Sequence, residues 1–534
     1  MHPCLNVDEI LRIIARELVA SGGKATAVSL ACCCKSFEDP ALDALWARQE
    51  LLLPLLKSLP GDVWDKEECT VSASATWVFS FLDDSTRKSF RRLPTTTEWV
   101  RFRKYARRMQ ELRQRGTRDS PSPEVFSVIQ LWTINEPLFP NLKTLDLWGI
   151  KASFIPFVPM FLSPRTTTIE LTFLSNLPKA MVASTITTLP RLCPNLQSIL
   201  LGTLPRDPMI TAAVSGMLLA TDRNALREFD VNSPLTEEAS EVLYKLPNLR
   251  MLFVVIDEET SLPPALLPSL TELRITCDNE DDWLRLFRGA TLGKLESVTF
   301  YPRSEQIGDF LEAFEKAALS LSIQNTLSEF YLSTSHSWNP NYSSLLPFTQ
   351  MVDLDIEFSC DGGCSSTVDD DIVTSLSRVM PKLKHLKLGD DPCPQPTAGV
   401  TAKGFVALAH HCPNLSTLRV HFQVASLSVP PASPDMTPDA EPAASWVDCA
   451  LTDLIVGEIP VPEESVLIVA LTLARIFPHI EYIDHVDENW EKVMCAICLS
   501  RRITDHSGKE QPSPHLEVTL VTLPQESQLR IVGW

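Results

Sequence analysis

The residues that most directly suggest chemistry are two cysteines, Cys495 and Cys498, in the segment VMCAICLS. Two cysteines separated by two residues often supply half of a tetrahedral zinc site. Only His506 and His515 follow them as further ligands of the histidine or cysteine type, so the local spacing does not complete a four-ligand site. We therefore expect no metal site, and nothing else in the sequence predicts a cofactor.

Motifs for covalent catalysis and for phosphate binding are missing from the sequence. It contains no G-x-S-x-G, H-E-x-x-H, G-x-x-x-x-G-K or G-x-G-x-x-G pattern. His410, His411 and Cys412 end a predicted helix, where core filling and compensation of the helix dipole explain them. We therefore predict a protein that is not an enzyme and has no catalytic residues.

The strongest local charge lies in residues 87–118, which hold twelve Lys or Arg residues and two acids and so carry +10. We interpret this segment as an amphipathic linker helix with an aromatic face that packs inward and a basic face that contacts water. Docking of an acidic or phosphorylated partner on the basic face is the first alternative, and nucleic-acid binding or nuclear import is the next. The predicted inward face comprises Trp99, Phe102, Ala106, Met109 and Arg113.

Composition limits the class of protein. Of the 534 residues, 44% are hydrophobic and 21% are charged, which is typical of a globular chain. The net charge of −20 disfavours a nucleic-acid binder that relies on phosphate contacts. The N-terminus lacks a basic region followed by an apolar one, and no apolar run approaches the roughly 18 residues that span a bilayer. We expect a cytoplasmic or nuclear protein that does not enter a membrane.

A six-residue pattern, L-x-x-L-x-L, recurs with apolar residues at its fixed positions. Eight of its thirteen occurrences have a proline two residues earlier, and proline ends a helix and favours an extended neighbour. The mean spacing of about 28 residues lies within the range of about 20 to 29 for leucine-rich repeats. The thirteen starts are Leu142, Thr166, Leu196, Leu226, Leu249, Leu270, Leu295, Leu327, Met351, Leu383, Leu415, Leu451 and Ile480.

These repeats predict an α/β fold that resembles a leucine-rich-repeat solenoid over residues 131–487. About thirteen strand–helix units would form a parallel sheet on the concave side and helices on the convex side. We predict a helical linker at 51–130, a disordered loop at 425–445, and a C-terminal cap at 488–534 that contains a closing helix and a final strand. A closed α/β barrel or a doubly wound sheet is the alternative, which the irregular spacing disfavours.

The first fifty residues contain three short helical patterns. The first follows Asn6, which has the spacing of a capping residue, and ends at Gly22 and Gly23. The second carries an apolar stripe that extends to Phe37, and the third is predicted to begin at Asp39, with Pro40 as its first helical residue. Three helices this short bury too little surface alone, so we expect them to pack on the following domain or on a partner.

The segments LNVDEILRIIARELV and SLACCCKSFEDPALDALW resemble the F-box, a three-helix module of cullin-RING ubiquitin ligases. The match includes Cys34-Lys35-Ser36-Phe37 and the terminal Trp46. The resemblance implies that residues 1–50 bind a Skp-type adaptor, which is itself bound to a cullin scaffold. An unrelated helical cap is the alternative. The adaptor-binding residues that the resemblance implies are Leu5, Ile10, Ile14, Leu30, Cys34, Phe37 and Trp46.

The repeat register also predicts which side chains face the concave side. In L-x-x-L-x-L the leucines point inward, so the residues that alternate with the last two point outward. Aromatic, acidic and basic rows result, which suit the anchoring and orientation of a protein partner with a basic segment. Mutual neutralisation of the charged rows is the alternative. The predicted substrate-binding residues are Phe253, Tyr301, Tyr331, Asp353, Asp355, Glu357, Lys387 and Arg419.

These features lead to a functional hypothesis. A non-catalytic substrate receptor would bind the ubiquitin ligase through its F-box and an unknown protein substrate through its repeats. The alternative is a leucine-rich-repeat scaffold that binds proteins and has no role in ubiquitination.

Overall fold

The computed structural model describes residues 7–65, 89–115, 122–134, 136–256, 266–278, 280–303, 308–334, 338, 340–358, 368–389, 399–427, 449–457 and 459–507. Over these residues the protein is α/β, with seventeen α-helices and one parallel sheet of fifteen strands. The strands lie in the sheet in the order in which they occur in the chain, from β1 to β15. This order is consistent with the predicted solenoid, because each unit contacts mainly the units before and after it.

The strands are short and are separated by loops or helices. Each strand pairs in parallel with the previous and the next strand in the chain. Their bounds are β1 Arg48–Gln49, β2 Glu111–Arg115, β3 Thr144–Ile150, β4 Thr168–Phe173, β5 Ser198–Gly202, β6 Glu228–Val231, β7 Met251–Ile256, β8 Glu272–Cys277, β9 Ser297–Pro302, β10 Glu329–Thr334, β11 Asp353–Phe358, β12 His385–Leu388, β13 Thr417–Val420, β14 Asp453–Gly457 and β15 Tyr482–His485.

The helices occupy most of the connections between strands, and five 3-10 turns supplement them. The α-helices are α1 Asp8–Ala20, α2 Lys24–Cys33, α3 Lys35–Ala47, α4 Leu53–Leu56, α5 Thr96–Ala106, α6 Pro123–Trp132, α7 Val158–Phe161, α8 Lys179–Leu192, α9 Pro208–Ala220, α10 Glu237–Leu243, α11 Glu280–Phe287, α12 Phe310–Leu321, α13 Asp370–Val379, α14 Ala402–His411, α15 Val424–Leu427, α16 Val466–Ile476 and α17 Asn489–Ser507. The described 3-10 turns are Gly61–Val63, Ile155–Phe157, Ile323–Asn325, Tyr342–Leu345 and Glu463–Ser465.

All thirteen predicted repeats coincide with strands, β3 to β15. Their fixed positions are buried in one continuous core, except for His485 at the last position of the final repeat. Helices cover the face of the sheet on which these residues lie, and the other face, which we call the open face, carries the alternating polar residues. The hydrophobic period of two therefore identified both the strands and their orientation.

The turn before several strands is held by an asparagine that the sequence pattern did not include. Asn141 and Asn195 follow two of the repeat prolines, and Asn248 follows a third. The side-chain amide of Asn141 donates to the carbonyl of Arg107 at 2.7 Å, and that of Asn248 donates to the carbonyl of Asn224 at 2.9 Å. These amides satisfy backbone carbonyls of the preceding repeat, which fixes the spacing between neighbouring turns.

The array begins two strands earlier than predicted, at β1 and β2. Leu112 of β2 pairs with Leu145 and is buried, as in the other repeats. The third inward position of β2 is Gln114, whose side-chain oxygen accepts a hydrogen bond from the backbone N–H of Leu52 at 2.9 Å. A polar residue replaces the last leucine of the hexad, and the predicted pattern therefore missed this strand.

The basic segment contains a shorter helix than predicted. Helix α5 begins with a capping box between Thr95 and Glu98 and ends at Ala106. Residues 111–115 form β2, so the prediction that Arg113 continues the helix is wrong. The predicted inward face is otherwise confirmed, since Trp99, Phe102, Ala106 and Met109 are all buried.

The three predicted N-terminal helices are present, and we call α1–α3 the N-terminal module. Helix α1 ends just before Gly22, whose φ of +84° is in the left-handed region that favours glycine. The predicted start of the third helix at Asp39 is wrong, because α3 begins at Lys35 after the extended Cys34. Pro40 lies inside α3, and Phe37 belongs to α3 and not to the second helix. Asn6 lies outside the described residues.

The C-terminal end of the sheet is covered by α17, which contains the predicted closing helix. Trp490, Val493 and Ile497 of this helix are buried, and the indole N–H of Trp490 donates to the carbonyl of Ile459 at 2.8 Å. The predicted final strand lies outside the described residues, as does the predicted loop except for its first three residues, which belong to α15. None of the helices in the described part of the chain is long and apolar enough to cross a membrane.

Candidate protein-binding surfaces

The open face presents side chains in rows that run across the strands, because neighbouring strands pair in parallel and in register. The first row, from β8 to β15, is Glu272, Ser297, Glu329, Asp353, His385, Thr417, Asp453 and Tyr482. The second row is Arg274, Thr299, Tyr331, Asp355, Lys387, Arg419, Ile455 and Asp484. All eight predicted substrate-binding residues lie on strands of this sheet, β7 to β13.

These rows line a cavity of ≈ 770 Å³ that we call the acidic cavity. Side chains from eight consecutive strands contribute to it, so the open face is concave over β8–β15. Six carboxylates and two cationic side chains line it, which gives a net charge of −4 with histidine neutral. The carboxylates are Glu272, Glu329, Asp353, Asp355, Asp453 and Asp484, and the cations are Arg274 and Lys387.

Four predicted substrate-binding residues instead form an ion-pair network with each other. Asp355 lies 3.0 Å from the Lys387 ammonium and 3.2 Å from the Arg419 guanidinium, which also contacts Glu357 at 2.9 Å. Arg419 is only 9% exposed. Mutual neutralisation, the alternative interpretation of these rows, therefore describes these four side chains, and they stabilise the floor of the open face.

Burial and ion pairing shift the pKa values of the two carboxylates of this network, Asp355 and Glu357, in opposite directions. Burial raises the pKa of Asp355, although Lys387 and Arg419 oppose the shift. Burial also acts to raise the pKa of Glu357, but hydrogen bonds from Tyr331 and Arg419 outweigh it and leave that pKa below its ordinary value. Glu357 is therefore held as a carboxylate that accepts two hydrogen bonds.

Tyrosines provide the aromatic part of the acidic cavity. The rings of Tyr301 and Tyr331 meet edge to face with centroids 5.9 Å apart, and the Tyr331 hydroxyl donates to Glu357 at 2.6 Å. Tyr301 is 37% exposed, which leaves ring area for a partner. Phe253, the third predicted anchor, is only 9% exposed and offers little surface.

Two carboxylates of the first row, Glu329 and Asp353, occupy directly opposite positions on the neighbouring strands β10 and β11. Among the described residues neither forms an ion pair. Like charges on adjacent strands repel, and a cation from outside the chain would relieve this repulsion. Asp453, Tyr482 and Asp484 extend the cavity over β14 and β15. The hexads at Leu451 and Ile480 imply the same outward register for these residues, although the predicted substrate-binding set ends at Arg419.

The N-terminal module carries a second candidate surface. Val7, Ile13 and Ile14 of the α1 region and Val28 of α2 are exposed apolar side chains, with Ile13 at 55% and Val28 at 52%. We use the name apolar face for these four residues together with the half-buried Ile10 and Leu30; of these, Val7, Ile10 and Ile14 have the spacing of one side of α1. It includes three predicted adaptor-binding residues, Ile10, Ile14 and Leu30. Leu5 lies outside the described residues.

The remaining predicted adaptor-binding residues lie closer to the interior. Phe37 is buried in α3, and Trp46 stacks on Tyr105 of α5 with ring centroids 4.8 Å apart. Cys34 is the partly exposed residue before α3. Its slight burial acts to raise its pKa, but hydrogen bonding with Phe37 and Ser36 lowers that pKa overall. Trp46 thus joins the N-terminal module to the basic segment.

Ion pairs reinforce this junction. The Arg108 guanidinium contacts both Asp39 and Asp43 of α3, and Asp43 also contacts Arg12 of α1. The Lys104 ammonium lies 3.3 Å from Glu38. Part of the predicted basic face of α5 therefore faces the acidic side of α3 and not open water.

Comparisons with known proteins do not assign a family. No protein-family model matches the chain, and no curated protein matches it. Among the described residues, no group of three or more His, Cys, Asp or Glu side chains is arranged to hold a metal ion. The interpretation of the two surfaces therefore depends on their own geometry and chemistry.

Proposed function

We propose that the protein is a non-catalytic substrate receptor of a Skp/cullin/F-box ubiquitin ligase, with an F-box at residues 1–50 and a leucine-rich-repeat solenoid after it. The apolar face of the N-terminal module carries the proposal, because exposed apolar side chains on adjacent helices are typical of a surface that a partner covers. The F-box resemblance of the same segment identifies the partner as a Skp-type adaptor.

The junction between the module and the sheet supports this role. β1 follows α3 directly, and the ion pairs of Arg108 and the Trp46–Tyr105 stack connect the module to the first strands. A receptor acts by holding a substrate at a fixed place relative to the transferring subunits, so a well-packed junction suits it. The chemistry of ubiquitin transfer belongs to those other subunits.

The acidic cavity is the proposed substrate site. Its net charge of −4 and its exposed tyrosine ring suit a protein segment with Lys or Arg side chains, which can pair with carboxylates and stack on aromatic faces. Glu329 and Asp353, which form no ion pair within the described ranges, are the groups we expect to contact the cation first. Tyr301 and Tyr331 would anchor the adjoining part of the segment.

Adaptor binding is tested with the double substitution Ile14→Asp and Val28→Asp. Both residues are exposed, so the module should keep its fold, while two charges in an apolar interface should weaken co-purification with a Skp-type adaptor at least about a hundredfold. Val100→Asp is the control, because Val100 is an exposed apolar residue on α5, outside the apolar face. Unchanged adaptor binding by the folded double variant would reject the assignment.

The second candidate function is a scaffold that binds proteins through the acidic cavity without a role in ubiquitination. The same co-purification separates the two functions, since a scaffold would bind partners but no adaptor. Asp353→Lys, with Glu464→Lys at an exposed site outside the cavity as its control, tests the cavity in either case. The cavity variant should lose captured partners most strongly at low salt, where charges are least screened.

A further inference from the structure

A second charged cavity lies at the junction between α5 and the starts of β2–β4. It has a volume of ≈ 750 Å³, and we call it the basic cavity. One carboxylate, Asp43, and six cationic side chains line it, in a chain whose remaining residues outside 87–118 carry −30. The cationic residues are Arg103, Lys104, Arg107, Arg108, Lys143 and Arg165.

Part of this positive charge is neutralised by carboxylates of the same chain. Arg108 pairs with Asp39 and Asp43, and Lys104 pairs with Glu38. These contacts hold the N-terminal module in place. The other four cations of the cavity, Arg103, Arg107, Lys143 and Arg165, do not take part in these contacts.

Arg103 and Arg107 share a single carboxylate, that of Glu136. The hydrogen bond from Arg107 and the charge of Arg103 lower the pKa of Glu136. Two guanidinium groups around one half-exposed carboxylate leave an excess positive charge. The pair of arginines also demonstrates that this part of the cavity accepts a carboxylate from a protein side chain.

Lys143 and Arg165 have no ion pair among the described residues. Both are exposed, and they precede β3 and β4, so they stand on neighbouring turns of the array. The Arg165 guanidinium donates to the side-chain oxygen of Asn141 at 2.6 Å, which leaves its other N–H groups for an acceptor. Both side chains line the basic cavity, so an acidic segment that enters it would face both.

We propose that the basic cavity binds an Asp/Glu-rich segment of a partner protein, with Lys143 and Arg165 as its main contacts. Positive charge is concentrated here while most of the surface is negative, so an acidic segment is repelled elsewhere and attracted to this cavity. Arginine donates strong, charge-assisted hydrogen bonds to carboxylates, and Glu136 accepts one such bond from each of Arg103 and Arg107 on the same oxygen. The proposal does not depend on the proposed function, because the cavity is separate from both the apolar face and the acidic cavity.

The experiment measures fluorescence anisotropy of a labelled octa-glutamate peptide with the full chain at 50 mM salt. We expect binding that the double substitution Lys143→Glu and Arg165→Glu weakens at least about tenfold. The control variant carries Arg223→Glu and Lys294→Glu, which change the net charge equally at exposed sites outside the cavity. A second variant, Lys143→Gln with Arg165→Gln, removes the charges without adding acids and should give a smaller loss in the same direction.

Three outcomes would overturn the proposal. The first is no binding of the octa-glutamate peptide, and the second is an equal loss in the control variant, which would indicate a general charge effect. The third is binding that depends on Lys143 and Arg165 for a phosphoserine peptide or an oligothymidine but not for octa-glutamate. That result would assign the cavity to a phosphorylated protein or to nucleic acid instead.

Discussion

Arg419 connects the two carboxylates on the floor of the open face, Asp355 and Glu357, from a strand two positions away in the sheet. Its side chain is nearly buried, so water cannot replace it as a partner for either acid. Such a network gains little over an apolar floor as a whole, but the loss of Arg419 would leave Asp355 with Lys387 as its only cation and Glu357 with only the Tyr331 hydroxyl. The charged side chains of the open face are therefore of two kinds. Some stabilise the fold by pairing with each other, and others are placed to contact a partner.

Replacement of Arg419 by Ala tests this division. We expect it to lower the local opening free energy of β11–β13 by about 3 kcal/mol, since two acids lose their shared cation. Amide hydrogen exchange read by mass spectrometry measures this loss strand by strand. Arg274→Ala is the matched control, because the Arg274 side chain is 38% exposed and its pairs should contribute about 1 kcal/mol or less. Equal losses in the two variants would contradict the structural role of Arg419.

The two carboxylates should give opposite pH dependence. The lowered pKa of Glu357 stabilises the folded state above the unfolded value of about 4.3, and this stabilisation is lost as the pH falls through the folded pKa. The raised pKa of Asp355 has the reverse effect, because the folded state binds its proton more tightly than the unfolded state. It costs stability above the folded pKa, and the cost disappears as the pH falls to about 3.9.

Melting temperatures between pH 3 and pH 7 check this pair of signs. The deficit of Glu357→Gln relative to the unmodified chain should be largest at neutral pH and should shrink in acid. Asp355→Asn should gain stability relative to the unmodified chain as the pH rises through the folded pKa. Curves of melting temperature against pH that run parallel to that of the unmodified chain for both variants would show that neither carboxylate has a shifted pKa.

At the scale of secondary-structure elements, the sequence predicted the strands whose inward positions follow the L-x-x-L-x-L pattern, β3 to β15. The register also predicted the outer positions of β11 and β12, and it left open whether their charges face a partner or neutralise each other. The sequence could not decide for the pairing of Asp355 with Arg419, because cross-strand distances depend on side-chain conformation. β2 was missed because Gln114 occupies an inward position and contacts the backbone of Leu52, which is 62 residues away. The start of α3 was misplaced because Asp39 and Pro40 imitate a helix start, while packing of Phe37 extends the helix back to Lys35.

The contact between α3 and the basic segment gives a prediction at this scale. Arg108→Ala removes the ion pairs to Asp39 and Asp43 and should lower the opening free energy of α3 by about 2 kcal/mol. Hydrogen exchange should increase in α1–α3 and remain unchanged beyond β4. Arg107→Ala is the control, since Arg107 pairs with Glu136 and does not contact α3. Unaltered exchange in the module would show that the other contacts, the Trp46–Tyr105 stack, the Lys104–Glu38 ion pair and the β1–β2 pairing, are enough to hold it.

At the scale of the whole molecule, the strands follow one another across the sheet in chain order, from β1 to β15. Different elements adjoin its two edge strands. The N-terminal module precedes β1, and α17 covers β15 and buries Trp490. Exposed ends of a parallel sheet expose apolar core and unpaired backbone groups, so terminal caps are required for solubility. The acidic cavity extends to β15, and it therefore depends on this second cap.

Removal of α17 tests this dependence. A chain that ends at Val486 should lose hydrogen-exchange protection in β14 and β15 first, while β3–β7 keep theirs, because units contact mainly their neighbours. A chain that ends at Ser507 is the control, so the difference between the two reports on α17 itself. Uniform loss of protection along the whole sheet would indicate one cooperative unit instead.

The sequential order of the strands also bears on how the chain folds as it is made. Thr144 pairs with Thr168 and Leu386 pairs with Leu418, so strands that pair are separated by only a few tens of residues. A ribosome adds about 5 to 20 residues per second, and a new unit therefore emerges every few seconds onto a surface that is already formed. β1 waits longest for its partner, since Arg48 pairs with Glu111, but from β2 onward each new strand meets a neighbour that is already made. The sheet can thus grow during synthesis, with the acidic cavity assembled after the strands that precede it.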